Sequence, residues 1–253
     1  MIVRQEHLSP FDEIARARFE REAVEHVKGF APKHTEVLGE DGTRTVVRAG
    51  IERAARYDFN APGPVHFFLD LMFVLGSEFD KDPQYPWAAE ILNDKSIPGQ
   101  MPRADRLHGR ASEYFDKVAG PDNQFAKQAL QRVQSLRTSG QSPQADPAML
   151  RSIYPEKAAY LGESGTRDLV ARSNARAASS GMASQAAAVL FAALEFTLGH
   201  AFDHDPLYPW IASTLTNPAM VKPEDRLRRL YEKTTIYLDH TIAYLSETKD
   251  GKV

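Results

Sequence analysis

Closely spaced carboxylates in a repeated segment are the first residues of this chain that could do chemistry. FDKDPQYPW at 79–87 returns as FDHDPLYPW at 202–210, and each copy places two aspartates one residue apart. Two carboxylates at this spacing can reach one hard cation such as Ca²⁺ or Mg²⁺. Neither copy supplies the glycine and the late glutamate of a calcium loop, so the pattern also fits a structural role. In that interpretation Asp82 and Asp205 cap a turn beginning at the next proline, and the second proline restarts a helix.

Histidines beside the second copy suggest a transition-metal site. His200 and His204 are four residues apart, with Asp203 beside them. On one face of a helix these three side chains could bind zinc or manganese. A metal-dependent enzyme confined to this region is therefore the alternative hypothesis for function. Ser77 and Lys81 replace the histidines in the first copy, and a solvated helix end also explains the pair, so we predict no metal or other cofactor.

Aromatic residues end both copies of the segment. Tyr85 and Trp87 correspond to Tyr208 and Trp210, and the chain contains no other tryptophan. Held by prolines, each pair forms a rigid amphipathic unit, here called the aromatic knuckle, that can seal a small core or anchor a partner protein. Core sealing is the simpler interpretation, whereas exposed knuckles would offer two equivalent anchors. The candidate partner-binding residues are these four aromatics and the neighbouring aspartates Asp80, Asp82, Asp203 and Asp205.

Other catalytic arrangements have little support. Asp70 and Glu195 occur in the most apolar stretches, at positions that do not match between the two halves of the chain. A carboxylate buried there would need an arginine or hydroxyl partner. Nothing in the sequence places the two opposite each other as acid and base, and no serine has the context of a nucleophile elbow. We therefore expect a protein that is not an enzyme.

The repeated segment belongs to a longer internal duplication. At an offset of 123, residues 38–92 match residues 161–215 at 24 of 55 positions, beginning with LGEDGTR against LGESGTR. Beyond this region we place a three-residue deletion in the second copy, so that PRADRL at 102–107 faces KPEDRL at 222–227 at an offset of 120. The period is too long for a solenoid repeat. It predicts two pseudo-symmetric repeats, residues 1–120 and 121–253.

Helical signals dominate both repeats, and neither alternating strands nor a glycine-rich phosphate loop is evident. The first helix is expected to end near Ala31 and Pro32, and another to begin at Thr43 after a segment closed by Gly39. An apolar stripe predicts the central helix of the first repeat, formed by Phe67, Phe68, Leu71, Met72, Leu75 and Phe79. Its counterpart, 182–202, is rich in alanine. The predicted fold is all-α, with two tandem repeats of about 120 residues and roughly six helices each.

Composition restricts the partner and the compartment. A net charge of −3 gives no general attraction to nucleic-acid phosphates or anionic lipid. The chain has no cysteine, which removes disulfides, thiolate metal sites and cysteine nucleophiles. No stretch reads as a signal peptide or is long enough to span a bilayer. We predict a cytoplasmic protein whose partner is another protein, rather than nucleic acid or a membrane.

The chain resembles a known family through four motifs in a fixed order: LGExGTR, a helix ending in RAA, LGxxFDxDPxYPW and a helix containing DRL. The chain is similar to small helical bacterial proteins of uncharacterised function found near toxin and type VI secretion genes. Those proteins usually have one copy, similar to residues 1–118, so this chain resembles two fused copies. The resemblance supplies no catalytic residues. It implies a non-enzymatic accessory that binds another protein, as an adaptor, a chaperone or an immunity-type protein.

Overall fold

The computed structural model describes residues 10–136 and 143–247. In these ranges the chain forms α-helices joined by turns and one short 3₁₀ helix. Five helices precede Gly120: α1 (Pro10–Phe30), α2 (Pro32–Ala55), α3 (Pro62–Leu75), α4 (Pro86–Asn93) and α5 (Gln100–Val118). After a 3₁₀ helix (Pro121–Asn123) follow α6 (Gln124–Ser135), α7 (Pro147–Ile153), α8 (Pro155–Ser179), α9 (Gln185–Leu198), α10 (Pro209–Leu215) and α11 (Pro223–Glu247). The all-α prediction is confirmed. Within the described ranges, none of these helices combines the length and apolar character needed to cross a membrane.

Prolines mark the start of most of these helices. Pro32, Pro62, Pro86, Pro155 and Pro209 each occupy the first turn of a helix. Proline is well suited to this position because its fixed φ matches the helix and its missing N–H would have had no intrahelical acceptor. The predicted end of the first helix is confirmed, since α1 ends at Phe30 and α2 begins at Pro32.

The LGExGTR motifs form kinks inside helices rather than breaks between them. Gly39 interrupts α2 with a φ of 68°, and Gly162 interrupts α8 with a φ of 72°. Both values fall in the left-handed region, which glycine adopts without a steric penalty. The predicted helix start at Thr43 is wrong, because helical structure resumes directly after Gly39 and Thr43 lies buried within α2.

The central helices α3 and α9 supply much of the core. The apolar stripe predicted in the first repeat is largely buried: Phe68, Leu71, Met72, Leu75 and Phe79 are each at most 4% exposed. The predicted helix was too long, because α3 ends at Leu75 and Phe79 lies in the following turn. The matching helix α9 buries a similar set: Leu190, Phe191, Leu194, Phe196 and Leu198. The buried apolar side chains of both halves form one continuous cluster. Burial of this surface is the main favourable contribution to folding.

The ends of α3 and α9 meet at two glycines. Gly76 and Gly199 end these helices with φ values of 102° and 99°. A Cβ on Gly76 would lie 2.7 Å from the carbonyl oxygen of Leu198, and a Cβ on Gly199 would lie 2.8 Å from that of Leu75. Only glycine allows both the backbone conformation and the close approach. The contact places the two repeated segments side by side.

Candidate functional site

Asp82 and Asp205 join the two repeated segments by exchanging hydrogen bonds. Oδ2 of Asp82 accepts from the backbone N–H of His200 at 2.8 Å. Oδ2 of Asp205 accepts from the backbone N–H of Ser77, also at 2.8 Å. Both carboxylates are buried. The two donors, like the two acceptors, are 123 residues apart, so each half provides the same bond to the other.

The remaining oxygen of each carboxylate caps its own turn. Oδ1 of Asp82 accepts from the backbone N–H of Gln84 at 2.8 Å, and Oδ1 of Asp205 accepts from that of Leu207 at 2.8 Å. The first proline of each segment lies in a turn, and the second begins a helix. The prediction that Asp82 and Asp205 cap these turns is therefore confirmed. Pro83 and Pro206, however, begin turns rather than helical turns.

The two carboxylates differ in their electrostatic surroundings. Burial raises the pKa of the Asp82 carboxyl, but the His200 imidazole and the N–H donors outweigh this effect, and the pKa lies below its ordinary value. Burial raises the pKa of the Asp205 carboxyl above its ordinary value, because its N–H donors and His34 offset only part of the effect. Asp82 is consequently ionised at neutral pH.

The outer aspartates of the segments bind arginines of the long helices. Asp80 accepts from Nε of Arg53 at 2.5 Å and from the Tyr57 hydroxyl at 2.6 Å. Asp203 accepts from Arg176 at 2.7 Å. Arg53 and Arg176 are also 123 residues apart. All four aspartates therefore bind groups of the chain itself.

The metal-site geometry expected around His200 and His204 is not formed. Helix α9 ends at Leu198, so the two histidines lie in turns and do not share a helix face. The His200 ring lies 3.5 Å from Asp82, whereas the His204 ring lies 2.7 Å from Asp203, which Arg176 also contacts. Across the described ranges, no group of three or more His, Asp or Glu side chains could hold a metal ion.

The aromatic knuckles pack inward. Tyr85, Trp87 and Tyr208 are at most 4% exposed, and Trp210 is half-buried. In the first half, Tyr85 and Trp87 contact the Tyr114 ring of α5, with centroids 5.4 and 6.0 Å apart. Tyr208 and Trp210 contact Tyr237 of α11 in the same way, at 5.6 and 5.8 Å. This is the core-sealing placement.

The offset of 123 continues through the last helix of each half, so the predicted three-residue deletion before KPEDRL is wrong. An Arg103 N–H donates to the Leu92 carbonyl at 3.3 Å, and an Arg226 N–H donates to the Leu215 carbonyl at 3.5 Å. Both pairs are 123 residues apart. Because DRL occurs in both segments, the sequence alignment used an offset of 120 here, whereas the contacts correspond at 123.

Glu195 has the partners that its burial requires. Its side chain is fully buried and accepts from Arg172 at 3.0 Å and from the Ser173 hydroxyl at 2.7 Å. The predicted need for an arginine or hydroxyl partner is confirmed here. Asp70 instead contacts His26, at 2.7 Å. The two carboxylates contact different helices and do not form an acid and base pair.

A cavity of about 960 Å³ lies between the two halves and is lined by residues of both. Seven pairs of its lining residues are 123 residues apart: Ala31 and Tyr154, His34 and Lys157, Val74 and Thr197, Leu75 and Leu198, Tyr85 and Tyr208, Tyr114 and Tyr237, Val118 and Thr241. Residues of α6 and of the end of α11 complete the wall. Apart from Tyr85, Tyr208 and Trp210, sequence reasoning missed these residues, because they come from distant helices. His34 and Lys157 differ in type and precede the matched segments, so the sequence carried no signal for them.

His34 provides a neutral base in one half of the cavity. Its Nε2–H donates to the Leu207 carbonyl at 2.9 Å, and its ring packs edge-on against Phe73. Burial lowers the pKa of the imidazole, and the Leu207 carbonyl only partly offsets this effect. The ring is therefore uncharged at neutral pH.

Lys157 provides a cation in the other half. The side chain is 4% exposed, and Nζ donates to the Tyr85 hydroxyl at 3.0 Å and to the Phe196 carbonyl at 2.6 Å. Nζ also lies 5.1 and 5.3 Å from the Tyr85 and Phe196 ring centroids. Burial lowers the pKa of the amine to about 8, although the Asp82 charge acts against this effect. The amine is therefore mostly protonated at neutral pH.

The cavity mouth exposes large apolar side chains. Phe30, Val37 and Val74 line the cavity and are 45%, 71% and 50% exposed. Lys33, also in the lining, forms an ion pair with Glu36 at 3.1 Å. Clustered apolar exposure beside a cavity is typical of a binding surface.

Comparison with known proteins gives no match: no family model, no curated protein and no solved structure matches this chain. Function is therefore inferred from the chain's own residues.

Proposed function

We propose that this protein is a non-enzymatic accessory that binds a partner protein at the cavity between its two halves. The observation that carries the proposal is the exposed apolar mouth formed by Phe30, Val37 and Val74 above an aromatic cavity. In keeping with the resemblance stated above, its role is that of an adaptor, a chaperone or an immunity-type protein in a bacterial toxin or secretion system. The partner is a protein rather than nucleic acid or a membrane, and binding takes place in the cytoplasm.

The physical basis is the removal of apolar surface from water. Burying apolar surface contributes about 25 cal/mol per Å², so a partner that covers three exposed apolar side chains gains several kcal/mol before entropic costs. Aromatic side chains below the mouth provide rigid walls against which an inserted apolar group can pack. Tyr208 and Trp210 thus contribute to binding from inside the cavity, while the buried aspartates hold the loops that shape it.

We further propose that the halves are two helical repeats related by a pseudo-two-fold axis near Gly76 and Gly199. The reciprocal bonds of Asp82 and Asp205 support this arrangement, since a two-fold contact uses the same residues from both sides. A cavity next to such an axis receives equivalent residues from both repeats. The axis therefore explains how one duplication produced both the joined loops and the binding cavity.

The test is capture of a partner from the native host with two matched variants. Val37→Asp places a charge at the mouth, whereas Val221→Asp changes a valine that is 79% exposed and does not line the cavity. The unmodified chain should retain a stoichiometric protein, Val221→Asp should retain it equally, and Val37→Asp should weaken binding by about tenfold or more. Urea unfolding checks that both variants fold. Equal retention by both variants, or no retained protein at all, would contradict the proposal.

A further inference from the structure

We propose that the group which the partner inserts into the cavity carries a carboxylate that pairs with Lys157. This inference rests on the proposed function and specifies the chemistry of the occupant. The cavity offers an occupant mainly aromatic and aliphatic surface, with one lysine ammonium among its buried lining groups. A complementary occupant is therefore apolar with a single negative charge.

The bonding of Lys157 leaves capacity for an anion. A protonated amine has three N–H donors, and the two recorded acceptors of Lys157 are neutral: the Tyr85 hydroxyl and the Phe196 carbonyl. Within the described ranges, no carboxylate forms an ion pair with Lys157. Asp82 acts on it only at longer range, and both oxygens of Asp82 already accept backbone N–H groups.

Three arginines that are partly buried in this protein are bonded differently. Arg53 contacts Asp80, Arg176 contacts Asp203, and Arg172 contacts the fully buried Glu195. A buried charge is costly unless it is paired, and these arginines have their counter-ions in the fold. Lys157 has no carboxylate partner within the described ranges, although it lies on the cavity wall. An incoming carboxylate would supply it.

The equivalent position in the other half makes the cavity electrostatically one-sided. His34 is uncharged at neutral pH, and its Nε2–H is already bonded to a carbonyl. Burial raises the pKa of the Tyr85 and Tyr208 hydroxyls well above the ordinary value, so both remain neutral. The carboxylate is therefore directed to the Lys157 end of the cavity, and the apolar remainder of the occupant to the His34 end and the mouth.

The experiment titrates the full chain with octanoate and octan-1-ol, two probes of equal chain length that differ in charge, and measures heats of binding. Near pH 7, octanoate should bind about tenfold more tightly or better, because hydrogen bonds to charged groups are the stronger class. Lys157→Met should remove the preference, whereas Lys33→Met, which removes a lysine 61% exposed at the mouth, should retain it. In the unmodified chain, the preference should fall as the pH rises through 8 to about 9.5, since the ammonium loses its proton and octanoate remains ionised.

Each outcome bears on a different claim. Equal affinity for both probes would overturn the carboxylate inference and leave the apolar cavity as a binding site. Binding of neither probe would also overturn the carboxylate inference, while the capture experiment with Val37→Asp decides the proposed function separately. If Lys157→Met does not fold, the pH series on the unmodified chain tests the inference. A preference for octanoate over octan-1-ol that stays unchanged up to about pH 9.5 would contradict it. Octanoate should also displace the captured partner, and failure to do so would mean that the carboxylate does not belong to that partner.

Discussion

Replacing Lys157 with methionine should change how stability depends on pH. The folded amine has a pKa of about 8, against an ordinary value of 10.5. Between these values the unfolded chain binds more protons than the folded chain, so the free energy of unfolding rises with pH. At pH 7 the buried charge costs about 3 kcal/mol, and by about pH 9.5 the remaining cost is about 1 kcal/mol. Relative to Lys157→Met, the unmodified chain should therefore gain about 2 kcal/mol over this range.

Urea unfolding at the two pH values measures this change. The upper limit avoids the ionisation of buried tyrosines, whose raised pKa values make stability fall above about pH 10. Methionine replaces the aliphatic part of lysine but lacks the amine, so it loses the hydrogen bonds to Tyr85 and Phe196, an effect that is similar at both pH values. Lys33→Met is the control and should show no such change, because its ammonium keeps water contacts in the folded chain. The reasoning would be refuted if the free energies of unfolding of the unmodified chain and of Lys157→Met changed equally between the two pH values.

Three further substitutions test the packing by urea unfolding. Gly199→Ala should cost about 2–4 kcal/mol, since its Cβ meets a backbone carbonyl at positive φ, whereas Gly109→Ala, in open space within α5, should cost nothing; equal effects would contradict the close approach of the ends of α3 and α9. Glu195→Ala should cost about 3 kcal/mol by leaving Arg172 without its counter-ion, and a cost below about 1 kcal/mol would count against the pair. Trp87→Phe should stay within about 1 kcal/mol, because the buried indole N–H has no hydrogen-bond partner and its removal offsets the lost volume. A loss above about 3 kcal/mol would show that the indole N–H is bonded.

Much of the local structure could be predicted because its causes are local. The second proline of the repeated segment was predicted to restart a helix, and Pro86 does so because its fixed φ suits the first helical turn. An aspartate before a proline caps the turn through groups two residues away, as Asp82 does with Gln84. The apolar stripe identified α3 because helical periodicity is visible in the sequence itself.

The incorrect predictions involved alternatives that local pattern does not separate. His200 and His204 have helical spacing, but Gly199 ends the helix before them, and its role depends on contact with the other half of the chain. The DRL letters matched at an offset of 120, whereas the carbonyls that receive Arg103 and Arg226 keep the offset at 123. In both places, tertiary contact decided the outcome.

The candidate site was largely hidden from sequence analysis. Tyr85 and Trp210 were recognised as residues that could seal a core or anchor a partner, but not as walls of a cavity between the two halves. Lys157 belongs to an ordinary helix sequence, and only burial gives it an unusual pKa. Its amine bonds to Tyr85 and Phe196, which are separated from it by 72 and 39 positions in the sequence. No local pattern encodes these contacts.

The most direct measurement of the central claim is photo-crosslinking in the native host. A photoreactive amino acid at position 37 lies at the cavity mouth, and one at position 221 is as exposed but does not line the cavity. A single protein adduct from position 37, and none from position 221, is the predicted result. An adduct from position 221 alone, or the same adduct from both, would contradict binding at the cavity.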